Sequence, residues 1–283
     1  MLGLPELDRH PKGRDREHAA PLHSRGRRGA GGLSQTGIHR AAPRPPDSRA
    51  PLVLAIDTAG AACSVAVGCG DTLLAAEELA MAHGQAEALL PMVDRLMGTA
   101  RVKPDALDFV AATVGPGSFT GIRVGLAAGR GIALAVGVPL IGVTVFAATA
   151  AAVALEGRAN NDLLLIALDS RRADLFVQLF DPAFRPRGAP ATVLPEALDD
   201  FVGPVAGNGA VLIAGDAAQR AAAALAMRRT RMRIADAAPR VAGALIAALA
   251  RWRQGERDDR ACPLYLRTPA VTFATRSLRR DGV

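Results

Sequence analysis

Lysine is almost absent from this 283-residue chain: Lys12 and Lys103 stand against 32 arginines. A skew of that size tracks a GC-rich coding bias, so arginine clusters carry less functional weight here than elsewhere. Cysteine is scarce too. Cys63, Cys69 and Cys262 form an odd set with no C-x-x-C spacing, which argues against a disulfide framework and a cysteine zinc site and fits a reducing cytosol. His83 is the one histidine after residue 50. Without a second histidine, a reactive cysteine neighbour or a P-loop lysine, the body is poorly equipped for nucleophilic or general-base chemistry. Aromatic residues make up only 4%. The basic clusters RRTRMR (228–233) and RSLRR (276–280) have none interleaved, so they suit phosphate contact or a solvated edge rather than base stacking.

The net charge of +7 is uneven. Residues 1–50 hold ten basic and five acidic side chains, while the remaining 233 carry 24 and 22. The body therefore has no strong overall field for an anionic partner. The first 50 residues, with RGRRGAGG and RPPDSR, contain few aliphatics and no sustained periodicity. They bury too little to offset ordering entropy and read as a disordered extension ahead of a domain starting near Leu52. An RNA-binding arm or a targeting peptide is the alternative, although acidic residues interrupt the basic run and no charged-then-apolar signal peptide opens the chain. The run 131–155 has no charge over 25 residues and passes the length test for a membrane span. Gly137-Val138-Pro139 breaks it, so it reads as a helix end, a buried strand and a second helix in a cytoplasmic protein that does not enter the membrane.

From Leu52 the pattern sharpens. LVLAIDTA, CSVAVGC and TLLAAEELA form three strand-like runs split by short glycine turns, an antiparallel meander. HGQAEALLPMVDRLMGTA switches to helical period, with Ala86, Leu89, Leu90, Val93, Leu96 and Met97 on one stripe and Pro91 marking a kink or an early turn. A strand DFVAATVGPG, a helix from about Phe119 to Val136, a strand PLIGVTV and a helix from about Phe146 to Leu155 complete a βββαβαβα order. This is the ribonuclease-H-like arrangement of the two-lobed actin, Hsp70 and sugar-kinase α/β fold. After EGRANND the pattern restarts with LLLIALDSRRADLFVQLFD, then VLIAGD, an Ala-rich helix over 217–227 and an amphipathic helix over 239–252. The expected organisation is an extension (1–50), an N-terminal lobe (51–157) and a reduced C-terminal lobe with a short basic tail (158–283).

Gly115-x-Gly117-x-x-x-Gly121 follows a strand and opens a helix, a place where amides and the helix dipole hold anions. No lysine follows, and the last spacing is one residue too long for the dinucleotide fingerprint. Ser118 is not flanked as a nucleophile elbow requires. Gly117, Gly121, Gly125 and Gly129 recur every four residues. On a helix the last three stay within roughly 80° and leave a smooth groove. Two uses of it stand open: seating the helix on its own sheet, or admitting a partner helix, with Ile122, Leu126, Ile132 and Leu134 left for internal packing. Asp57 ends the first strand, where this superfamily keeps an acid near the nucleotide phosphates and metal. Ala59 stands where the D-x-G-x-[ST] hairpin has glycine, and a turn cap through Thr58 and Gly60 fits Asp57 equally. His83 and Glu87, read as i and i+4 of one helix, lack a third metal ligand and suit an exposed helix contact.

Taken together, LVLAIDTAGAACSVAV, HGQAEALLPMVDRLM, VGPGSFTGIRVGLAAGRGIALAVGVPLIGV, LDSRRADLFVQLFD, AGD at 214–216 and PLYLR at 263–267 resemble the TsaB (YeaZ) family over about residues 52–270. The resemblance implies a non-catalytic subunit in tRNA threonylcarbamoyladenosine (t6A) synthesis. Such a subunit pairs with the homologous catalytic subunit TsaD, works with the ATPase TsaE, reaches tRNA through the complex, and can form a homodimer when alone. ATP and a metal are expected on the partner subunits, none in this chain. The helices corresponding to 83–97 and 119–136 form the dimer surface in that family, which makes His83, Glu87, Leu90, Gly121, Gly125 and Gly129 the expected interface. Asp57, Gly117 and Ser118 are what this chain would bring to a composite nucleotide site. The catalytic sibling carries an H-x-x-x-H metal pair where this sequence has Val145 and Thr149, so metal-dependent transfer is not expected here. An active ATPase or small-molecule kinase of the same fold is the competing expectation.

Overall fold

The computed structural model describes residues 35–36, 50–157, 162–206, 209–226, 231–235, 240–256 and 261–267. The expectations for most of the first 50 residues, for RSLRR and for 228–230 of the other basic cluster lie outside them. Two sheets carry the architecture. The first comprises β1 (Gln35–Thr36), β2 (Leu52–Asp57), β3 (Ala62–Cys69), β4 (Thr72–Ala80), β5 (Phe109–Gly115) and β6 (Leu140–Thr144), in the order β1-β4-β3-β2-β5-β6. β2, β3 and β4 form the antiparallel meander, with Leu54 opposite Val67 and Ile56 opposite Val65, and β5 and β6 extend the sheet in parallel. Gln35 and Thr36 pair with Leu79 and Glu78, within a stretch that reads as structureless from the sequence. The edge of β4 offers unpaired backbone groups that a short segment can satisfy without any hydrophobic signature of its own.

The second sheet comprises β7 (Leu163–Asp169), β8 (Leu175–Phe180), β9 (Ala191–Val193), β10 (Val211–Ala214) and β11 (Met232–Ile234), in the order β11-β10-β7-β8-β9. The helices are α1 (Gln85–Ala100), α2 (Phe119–Val136), α3 (Val145–Leu155), α4 (Leu198–Ala206), α5 (Ala218–Ala226) and α6 (Arg240–Arg253). Each half thus runs through three antiparallel strands, a helix, a parallel strand, a second helix, another parallel strand and a last helix. This is the duplicated α/β fold of actin and the sugar kinases, with all strands but the first shorter in the second copy.

Strand alternation assigns the packing. Leu54, Ile56, Val65 and Val67 share a core with Leu89, Met92 and Leu96 of α1 and Ile122 and Leu126 of α2. Val53, Ala55, Phe109, Ala111 and Val143 share another with Val241, Leu245 and Leu249 of α6. Phe109 also stacks on Trp252, their ring centroids 4.6 Å apart. The sequence places α6 in the C-terminal lobe. The structure packs it on the first sheet and against α3. Its backbone comes so close to α3 that a Cβ on Gly243 would meet the Ala148 carbonyl oxygen at 2.0 Å. The second sheet buries Leu165, Val177 and Ile213 against α4 and α5.

The uncharged run 131–155 divides into the end of α2, β6 and α3, as Gly137-Val138-Pro139 implies. α2 is itself long and apolar enough to cross a membrane by length and composition, and one third of it is buried within the fold.

Candidate functional site

The last residue of β2 anchors a cleft between the two sheets. Asp57 is 1% exposed, and both of its carboxylate oxygens are engaged. Oδ1 accepts from the Ala59 amide at 3.0 Å and from the Thr113 hydroxyl at 2.8 Å. Oδ2 takes the Nε–H of Arg240, the first residue of α6, in an ion pair. Burial pushes the Asp57 carboxyl up, but the Arg240 charge and hydrogen bond, the Ala59 amide and the Thr113 hydroxyl hold it below the ordinary carboxylate range. Burial likewise works against the charged guanidinium, and Asp57, Asp216 and Glu78 more than offset it. The turn cap read from the sequence is present in altered form, since the amide involved is that of Ala59 rather than those of Thr58 and Gly60.

Gly117 and Ser118 lie across from this pair. The Ser118 amide donates to the Ala59 carbonyl at 2.7 Å, and its hydroxyl caps α2 by accepting from the Gly121 amide at 3.1 Å. Gly117 is there for close approach, because a Cβ on it would fall 2.2 Å from the Ala59 carbonyl oxygen. Asp169 and Ser170 close the far side. Asp169 ends β7 with Ser170 just after it, as Asp57 ends β2 with Thr58 just after it, so the two halves meet through equivalent hairpins. The repeated strand-Asp-hydroxyl in LAIDT and IALDS was the available signal for this wall, and sequence reasoning missed it. It also missed Arg240, 183 positions from its partner.

The deep cleft holds about 60 Å³ of free space, room for a few waters. Its one fully buried carboxylate among the described residues is bound to a guanidinium. These residues do not fit a metal-bound nucleotide. Val145 and Thr149, at the sibling's histidine positions, are buried in α3, where the Thr149 hydroxyl donates to the Val145 carbonyl at 2.8 Å. Among the described residues no three His, Cys, Asp or Glu side chains gather as metal ligands.

The glycine groove requires a correction. Gly121, Gly125 and Gly129 are all buried against the chain's own strands. A Cβ on Gly121 would lie 2.0 Å from the Thr58 carbonyl oxygen, one on Gly125 2.5 Å from the Thr58 hydroxyl, and one on Gly129 3.1 Å from Leu140. The Thr58 hydroxyl also donates to the Gly121 carbonyl at 2.7 Å. The helical wheel gives the reason: the glycines, Ile122, Leu126 and Ala133 span one continuous arc of roughly 140° that sits on the sheet. Leu134, expected to pack inside, is 86% exposed. The smooth groove seats α2 on its own sheet, and the three glycines are not available to a partner.

His83 also moves. α1 begins at Gln85 with Gly84 as its N-cap, so His83 lies in the turn before the helix and forms no i, i+4 pair with Glu87. Glu87 is exposed in the first turn of α1. The predicted stripe of α1 divides: Leu89, Leu96 and Met97 point inward with Met92, whereas Leu90 is 54% exposed. α1 continues through Pro91. Between α1 and α2 opens a mostly apolar groove of about 440 Å³, lined by Leu90, Val93, Met97, Ile132, Ala135 and Val136 among others.

Fold and cleft define an actin- and sugar-kinase-like α/β protein. The family model described as "TsaD: tRNA N6-adenosine threonylcarbamoyltransferase" matches residues 77–203. The tRNA threonylcarbamoyladenosine biosynthesis protein TsaB of Escherichia coli is 35% identical over 124 residues, 44% of this chain and 52% of that protein. A tRNA N6-adenosine threonylcarbamoyltransferase of Erythrobacter litoralis is 45% identical over 62 residues, 22% of this chain and 18% of its own length. The solved structure of YeaZ from Pseudomonas aeruginosa superposes with a TM-score of 0.61 at 26% identity, covering 76% of this chain and all of that one. The chain spans about half the length of the curated relatives it matches. In sequence and in fold the chain is similar to TsaB/YeaZ proteins.

Proposed function

We propose that this chain is a non-catalytic subunit of the cytoplasmic machinery that makes t6A in tRNA, and that it pairs with a TsaD-like catalytic subunit. The observation that carries the pairing is the apolar groove between α1 and α2, with Leu90 54% exposed in its lining, together with Leu134, 86% exposed on another side of α2. Large exposed aliphatics near such a groove mark surfaces that another protein covers. Leu90, Leu134 and the groove now carry the proposed interface in place of Gly121, Gly125 and Gly129. ATP and the metal belong to the partner subunits in this proposal, and a TsaE-like ATPase completes the assembly. Support comes from the Asp57–Arg240 pair in the narrow cleft, which weighs against an active kinase, and from the buried Val145 and Thr149, which weigh against metal-dependent transfer. A homodimer through the same face is the expected state when the chain is alone.

The test is Leu90→Glu and Leu134→Glu, singly and together, in the cell of origin. Co-purification of the TsaD-like subunit and t6A in bulk tRNA, read by mass spectrometry, should both fall, with melting temperature nearly unchanged because both side chains are largely in water. Full recovery of the partner by the double variant would refute the assigned face. ATP turnover by the pure chain, abolished by Asp57→Ala, would favour the kinase instead.

A further inference from the structure

We infer that the mouth of the cleft carries a binding platform for an unpaired RNA strand, built from Phe119, Tyr265, Arg123 and Arg172. The segment 261–267 is tied down across it. The Leu264 amide donates to the Val114 carbonyl at 2.7 Å, and Arg130 Nη2 to the Ala261 carbonyl at 2.6 Å. This lays Tyr265 on Phe119 with ring centroids 5.3 Å apart, and the rings remain 38% and 40% exposed. The Arg123 guanidinium lies 3.6 Å from the Phe119 ring centre, and its Nε–H donates to the Tyr265 hydroxyl at 3.3 Å. The result is a rigid, preassembled stack of two rings and a cation, held half in water.

Beside the stack lies an outer cleft of about 240 Å³, lined by Ser170, Arg172, Phe176 and Arg267 among others. Arg267 pairs with Asp174, and Arg171 approaches Asp169 at 3.6 Å. Among the described residues neither Arg123 nor Arg172 has a carboxylate partner. Flat exposed rings next to uncompensated guanidinium groups take the face of a base and the phosphates that flank it. One feature favours a strand over a free nucleotide: the deep cleft that would have to accept a polyphosphate holds only about 60 Å³, and its Arg240 is already paired with Asp57. Arg123 comes from α2 and Arg172 from the turn between β7 and β8, two separate segments at the cleft mouth. Choosing RNA rather than DNA rests on the proposed tRNA role, while the platform itself does not.

The experiment uses the full chain and a single-stranded RNA dodecamer carrying 2-aminopurine, with anisotropy reporting affinity and 2-aminopurine fluorescence reporting stacking. Binding with quenching is expected. Tyr265→Ala should abolish most of the quenching and weaken binding about tenfold, in line with one lost base stack. Arg172→Glu should weaken binding and flatten its salt dependence, whereas Arg187→Glu, an exposed arginine away from the platform, should not. Tyr265→Leu keeps the apolar bulk and should still lose quenching, which guards against a folding artefact. No binding by the wild type, equal losses from Arg172→Glu and Arg187→Glu, unchanged quenching in Tyr265→Ala, or full displacement by equimolar ADP would each overturn the inference. A DNA dodecamer bound as well as RNA would overturn the RNA assignment. The outcome is independent of the partner and t6A readouts, so either proposal can fail alone.

Discussion

Replacing Gly121 by alanine should destabilise the fold, although the same change in an exposed stretch of helix would stabilise it. The added Cβ would sit 2.0 Å from the Thr58 carbonyl oxygen, and real Cβ atoms essentially never approach within 3.0 Å. The obstacle is backbone, so α2 must retreat by about 1 Å, at an overpacking cost of roughly 1–3 kcal/mol. The retreat also stretches the 2.7 Å bond from the Thr58 hydroxyl to the Gly121 carbonyl, worth about 1 kcal/mol. Helix propensity returns about 1 kcal/mol. The net loss of roughly 1–3 kcal/mol should lower the melting temperature by about 3–10 °C. Gly131 lies on the same helix, and a Cβ added there would meet nothing within 4 Å, so Gly131→Ala keeps only the propensity gain and should melt about 2 °C higher. Gly125→Ala, facing a hydroxyl at 2.5 Å, should fall between them. Thermal and urea melts of the three variants provide the assay. A Gly121→Ala protein as stable as wild type would refute the claim that these glycines seat the helix.

Arg240→Ala should cost about 3–5 kcal/mol at neutral pH by leaving the buried Asp57 carboxylate without its counter-charge. In the wild type the native Asp57 pKa lies below its ordinary 3.8, so its contribution is present above that value and is lost as pH falls through the depressed native one. In the variant burial dominates and the native pKa rises, so the ionised carboxylate destabilises; the gap between the two proteins in urea melts should therefore narrow toward pH 4. A gap that does not change with pH would contradict this account. Asp57→Asn in the Arg240→Ala background should recover much of the loss, and no recovery would point to packing instead. Native-state alkylation at pH 8 followed by mass spectrometry should label exposed Cys262 and spare Cys63, whose thiol is pushed up to about 11 by burial and by the nearby Asp57 and Glu77 charges. Rapid labelling of Cys63 would show that β3 opens far more readily than a buried strand should.

Local pattern made much of the fold legible. The meander, the two crossovers and the restart after residue 157 follow from period-2 and period-3.6 hydrophobicity and from glycine turns, and the helix over Phe119–Val136 has the same limits in the sequence and in the structure. β9, α4 and β11 leave no clear mark in the pattern, being only 3, 9 and 3 residues long and too short for a period to stand out. The direction in which α2 faces was not legible either. A four-residue glycine spacing defines a smooth stripe but does not say what approaches it, and here it is the Thr58 backbone. The site was legible on one side only. Asp57 and the Gly117-Ser118 loop are visible as motifs, while Arg240 and Tyr265 reach them from across the chain.

The sequence alone determined the duplicated α/β order and the absence of a histidine pair at Val145 and Thr149, because both are properties of neighbouring residues along the chain. The tertiary structure decided which face of α2 is covered, which cation neutralises Asp57, and that the few aromatics meet arginines at the cleft mouth. Each of these is a contact between segments distant in sequence, whose distance and burial are set by how the sheets and helices pack.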